Sequence, residues 1–168
     1  MTRRAMIQKW ILYGLCALAL VLAEGLLLVR VEFWGVHPFL LPAIAVIPVT
    51  LERDEAALLF SVFFGLVCDL LSPVTGLPCF YTLAFLLSGA LAWLLAGRLV
   101  AGLVCSLAAT AVSLAVCSLL HLAVLAGSQP VDASAAAMLA GKEALLSLPL
   151  TVLAHYPFRK VCLATQRD

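Results

Sequence analysis

Five ionisable side chains interrupt the long apolar runs of this chain: Glu24, Asp69, His121, Lys142 and Glu143. Groups of that kind carry protons, pair with one another, or receive a polar group from a ligand or a partner. A charge at the centre of a bilayer costs about 2.5–3.5 kcal/mol on insertion scales, so each needs a reason to be there. Two readings stand. The five converge on a cavity or on a partner's polar group, or they form a structural ion-pair cluster and reach for the nearby interface. A pair of Lys142 with Glu24 or Asp69 is expected. Lys142 and Glu143 are adjacent, so they point about 100° apart on a helix and cannot both face one partner. Lone His121 reads first as a satisfied core histidine.

Catalytic patterns are missing. The sequence has no G-x-S-x-G nucleophile, no H-E-x-x-H zinc site, no D-G-x-x-A-R signature and no second aspartate near a span to pair with Asp69. The six cysteines form no C-x-x-C pair and have no histidine at zinc-ligand spacing. No enzyme and no cofactor is expected. Ser61, Ser88 and Ser147 read as intramembrane hydroxyls that bond a carbonyl one turn back.

The elements that must hold these residues follow from composition. Of 168 residues, 65% are hydrophobic and 11% charged, against roughly 25% charged in a typical soluble domain. The mean hydropathy is +1.16. A soluble fold of this size cannot hide that much apolar surface; a bilayer can. A spanning helix needs about 20 apolar residues, so six would use roughly 120 of the chain. The expectation is a single integral membrane domain over 1–168. Its class is an all-α polytopic membrane protein, a compact bundle of six transmembrane helices. The spans are 10–29, 33–51, 55–71, 79–95, 100–125 and 138–156. The apolar run from Trp10 exceeds the 7–15-residue core of a signal peptide, so the first span is read as uncleaved.

Charge sets the orientation. With the N-terminus inside, Arg3, Arg4, Lys9, Arg53, Arg98, Arg159, Lys160 and Arg167 collect inside and only Arg30 outside. The second span carries Pro38, Pro42 and Pro48. Were it re-entrant, every later loop would swap sides and this bias would vanish. It is therefore expected to span, kinked, with both termini cytoplasmic. All five intramembrane ionisable residues then fall in the outer half, and no comparable set is expected in the inner half. The net charge of +1 implies no nucleic-acid partner.

Small residues mark close helix packing. Span five carries Gly102, Ser106, Ala109, Ser113 and Cys117 at helical spacing. Span one carries Ala19-x-x-x-Ala23. These read as packing within the bundle or as contact with another membrane protein.

The most distinctive stretch covers 63–78, FFGLVCDLLSPVTGLP. Gly65 precedes Asp69 by one turn. Ser72 and Pro73 follow, and Pro73 forbids continuation of the helix. Gly76 permits positive φ ahead of Leu77. Asp69 is either the clasp of a rigid outer hairpin, bonding N–H groups or the hydroxyls of Ser72 and Thr75, or a contact for a partner.

This G-x-x-x-D-L-L-S…G-L element, between the third and fourth helices, resembles the MreD family of rod-shape-determining membrane proteins. Length, six spans and short loops fit the same family. Two departures stand out: the interval from Asp69 to Gly76 is about one residue short, and Pro78 replaces the His or Asn often found after Gly-Leu. The resemblance implies a non-catalytic plasma-membrane component of the bacterial cell-elongation machinery, or elongasome. It implies binding to MreC and, indirectly, work with a RodA-type glycosyltransferase, a class B penicillin-binding transpeptidase and MreB in peptidoglycan synthesis. The family fold is similar to the S components of energy-coupling-factor vitamin transporters. A substrate-binding S component is therefore the alternative, and Ala19-x-x-x-Ala23 resembles the docking motif of that class.

Overall fold

Prolines and apolar runs decide where helices start in this chain. In the computed structural model, which describes residues 3–30, 35–71, 77–127 and 132–165, the regular elements are helices. They are α1 (Arg3–Leu27, followed by one 3₁₀ turn at Leu28–Arg30), α2 (Leu41–Glu52), α3 (Glu55–Leu71), α4 (Phe80–Arg98), α5 (Leu103–Ala126) and α6 (Ala133–Thr165). Four helices are long and apolar enough to cross a membrane: α4, α5, Met6–Leu26 of α1 and Ser134–Thr165 of α6. Many of their leucines face outward, among them Leu15, Leu22, Leu94 and Leu153. An apolar exterior of that extent marks a membrane protein with lipid around it.

The expected second span is corrected. A kinked helix over 33–51 is not what forms, since 35–40 are not helical. Pro38 and Pro42 are the physical reason. A residue before proline is pushed away from helical geometry, and Pro42 falls in the first turn, where its missing N–H costs nothing. Only Pro48 lies inside the helix. At 1.5 Å per residue, the 12 residues of α2 span about 18 Å, well short of the roughly 30 Å hydrocarbon core.

This short helix is the centre of the molecule. Residues 42–50 are all buried, and α2 packs against each of the other five helices. A helix apolar on every side is a core element. α6 differs from its expected span in the opposite sense. It starts near 133, because the Asp132 carboxylate accepts the Ser134 N–H at 3.0 Å and its hydroxyl at 2.7 Å. Those bonds, the hydroxyl first, hold the Asp132 carboxyl below its usual range.

α3 and α4 approach most closely at two glycines. A Cβ added to Gly65 would lie 2.7 Å from the Tyr81 carbonyl oxygen and 2.8 Å from Thr82 Cα. One added to Gly89 would lie 3.0 Å from Ser61 Oγ. Ser61 itself donates across the pair to the Phe85 carbonyl at 3.0 Å. It does not bond one turn back along its own helix. Aromatic rings then run through the core in one chain. Phe158 stacks on Tyr13 at 5.8 Å, and Tyr13 meets Phe60 at 6.5 Å. Phe60, Phe64, Phe85, Tyr81 and Phe39 continue the chain at 5.8–6.4 Å.

Gly65 and Gly14 therefore answer differently to the same change. Gly65→Ala forces α4 off α3 and is expected to cost about 2 kcal/mol. Gly14→Ala meets nothing within 4 Å and gains up to about 1 kcal/mol of helix propensity. Thermal unfolding of both variants in mild detergent is the measurement.

Candidate functional site

Asp69 sits one turn after Gly65 on α3, so both face the first turn of α4. Its Oδ1 accepts the Tyr81 N–H at 2.8 Å. Its Oδ2 accepts the Thr82 N–H at 2.8 Å and the Thr82 hydroxyl at 2.7 Å. These are the second and third helical positions of α4, whose N–H groups have no partner inside the helix. A local capping side chain normally takes them. The residue at the cap position, Cys79, has φ of 68° and makes no such bond. Asp69 caps α4 from the neighbouring helix, where the positive end of the helix dipole favours a carboxylate. Gly65 and Asp69 thus act on the same two residues: one makes room for the backbone of 81–82 and the other binds it. Ser72, Pro73, Thr75 and Gly76 lie outside the described residues, so the expected bonds to the Ser72 and Thr75 hydroxyls lie there too. Leu77 is exposed.

The start of α2 is held the same way. Glu24 on α1 is buried, and its Oε1 accepts the Leu40 N–H at 3.0 Å. Ser147 on α6 accepts the Phe39 N–H at 2.9 Å. The second oxygen of Glu24 is buried without a hydrogen-bond partner among the described residues. The expected pair of Lys142 with Glu24 or Asp69 does not form. Both acids bind backbone N–H groups at helix starts, which draw a carboxylate without bringing a long side chain from α6.

A second polar group, beyond the five expected residues, lies at the far end of α2. At the end of α2 opposite Glu24, Lys9 of α1 forms a buried ion pair with Glu52. The Tyr13 hydroxyl donates to the other Glu52 oxygen at 2.7 Å. Beside them, Thr50 and Ser106 bond at 2.9 Å, and Ser106 bonds His155 Nδ1 at 3.0 Å. The proton count fixes the directions. Thr50 donates its one hydroxyl proton to the Ile47 carbonyl at 2.8 Å. Ser106 must then donate to Thr50 and accept from His155, which carries its proton on Nδ1. His155 Nε2 is buried without a hydrogen-bond partner among the described residues. The sequence hides this group because Lys9 and Glu52 read as loop charges flanking spans, 43 residues apart. Ser106 read only as a small packing residue. Just past α2, Arg53 donates from Nη2 to the Leu99 carbonyl at 2.6 Å and ties the ends of α2 and α4 together.

His121 and Glu143 come together at the other end. They line a cavity of about 320 Å³ between the start of α4, the end of α5 and the start of α6. Phe39, Phe80 and Tyr81 form its aromatic walls. Phe80 stands nearly perpendicular to Tyr81 (84°, centroids 5.3 Å) and to His121 (85°, 6.0 Å). Lys142 is half-buried and does not line the cavity.

The small-residue stripes divide. Ser106, Ala109, Ser113 and Cys117 are buried against neighbouring helices. Gly102 caps α5 in extended geometry and meets nothing within 4 Å, so it takes no part in that packing. Ala19 is exposed and Ala23 half-buried, so this pair faces outward from α1.

Two outcomes test the clasps. Asp69→Ala is expected to cost about 2 kcal/mol in detergent and to speed hydrogen exchange at the Tyr81 and Thr82 amides first. Lys9→Met strands the Glu52 charge and is expected to cost about 3 kcal/mol. The double variant Lys9→Met/Glu52→Gln, which keeps an acceptor for Tyr13, should unfold at a higher temperature than Lys9→Met alone.

Set against known proteins, the chain matches no family model, no curated protein and no solved structure.

Proposed function

We propose that the chain is a MreD-like, non-catalytic integral membrane component of the bacterial cell-elongation machinery. It binds MreC and supports lateral peptidoglycan synthesis by the RodA-type glycosyltransferase and the class B transpeptidase, alongside MreB. The observation that carries this reading is the Gly65–Asp69 lock on α4. The residues that resemble the family's G-x-x-x-D element have one structural task, fixing α4 on α3. A fixed helix pair is what a scaffold must offer to a partner in the plane of the membrane.

Orientation is part of the proposal. Lys9, the end of α2 with Arg53, and the Tyr13–Phe158 contact of α1 with α6 share one end of the molecule. Arg159 and Lys160 follow Phe158 on α6. Basic residues grouped in this way favour the cytoplasmic side, with both termini there and the long helices crossing the plasma membrane around the short α2. α1 and α6 are the least covered of the four long helices. Their outward faces, including Ala19 and Ala23, are the surface for a partner helix.

The test is co-purification from a membrane extract in mild detergent. MreC is expected to remain bound to the tagged chain, and depletion is expected to round the cells. A sample without MreC, from cells whose shape survives depletion, overturns the reading. Co-purification of an energy-coupling-factor module in its place favours the transport alternative.

A further inference from the structure

The geometry points to a binding site for a small organic cation, an ammonium group on an apolar body, in the cavity at the start of α4. This goes beyond the MreC reading and does not rest on it. Three observations carry it: the charge, the shape and the rigidity of the walls.

Among the described residues, Glu143 is the only acid on the lining. It is half-buried and makes no hydrogen bond or ion pair among the described residues, although the basic Lys142 is its chain neighbour. A carboxylate left unpaired in apolar surroundings is costly, and a cation brought to it offsets that cost. The rings supply the second attraction. A flat aromatic ligand needs parallel walls to stack between. Here Phe80 is close to perpendicular to both Tyr81 and His121, and Phe39 is tilted 46° to Tyr81. Rings set at right angles leave no slot for a flat ligand and suit a tetrahedral ammonium, which an aromatic face attracts. Leu122, Leu125 and Leu139 complete an apolar wall for the rest of the ligand. The volume, about 320 Å³, lies at the small end of the range for such sites.

The walls are fixed before any ligand arrives. Phe80 and Tyr81 are the first two residues of α4, and Asp69 holds the Tyr81 N–H. The lock that places α4 on α3 therefore also places two of the rings. A site with such walls loses little freedom on binding.

The experiment uses the full chain in detergent, titrated calorimetrically with benzyltrimethylammonium. Neopentylbenzene, of the same shape and without charge, is the control. Saturable binding of the cation is expected, with much weaker binding of the neutral compound. Glu143→Gln is expected to weaken the cation by about tenfold or more, with the unfolding temperature of the free protein unchanged or raised, since the costly unpaired charge is gone. Phe80→Leu should weaken it several-fold. Equal binding of the neutral compound, equal binding by folded Glu143→Gln, or no saturation at millimolar probe overturns the proposal. Each of those results leaves MreC co-purification untouched, so the two readings fail separately.

Discussion

A helix buried on every side hides its middle easily, but its ends still carry unpaired N–H and C=O groups. In water, solvent satisfies them. In a protein surrounded by lipid, other side chains must. α2 poses this problem most sharply, because it is short, central and in contact with all five other helices. Glu24 and Ser147 hold its start, from α1 and α6. At its other end the Arg53 N–H caps the Val49 carbonyl, and Lys9 and Tyr13 of α1 hold the Glu52 side chain. Ser106 and His155 extend the grip to α5 and α6. Thus α1 binds α2 at both ends, and its own two interior charges are accounted for by that one task.

The same device recurs at α4, with Asp69 of α3 in the role of Glu24. In both cases a carboxylate on one helix caps the start of the next. Lipid supplies no hydrophobic force between helices, so close packing and hydrogen bonds must position them. Gly65 and Gly89 give the close approach on α3 and α4, and the buried face of α5 gives it on α2. The chain of rings from Phe158 to Phe39 fills the space between the two polar ends. Rigidity at the end where α4 starts follows from these contacts, and the cavity walls inherit it.

Several of these features are visible in the sequence because they are local. The apolar runs mark the helices, since a run of leucines and alanines has no other stable place than lipid or a core. The interval of four between Gly65 and Asp69 places both on one helix face, and that holds in the structure. The extent of α2 was harder to read. Proline in an apolar run signals a kink when the neighbouring helix can take the freed carbonyl, and a helix start when it cannot. Only the packing around 35–40 distinguishes the two.

By itself, then, the sequence determined a membrane-type chain, its helical content and the shared face of Gly65 and Asp69 on α3, because hydropathy and short-range spacing act along the backbone. The tertiary structure decided which polar groups meet. Lys9 and Glu52, Ser106 and His155, and the His121–Glu143 cavity are joined across long stretches of chain. No spacing rule links such residues. Their pairing depends on which helix ends come to the same depth, and that is set by the packing of every helix around α2.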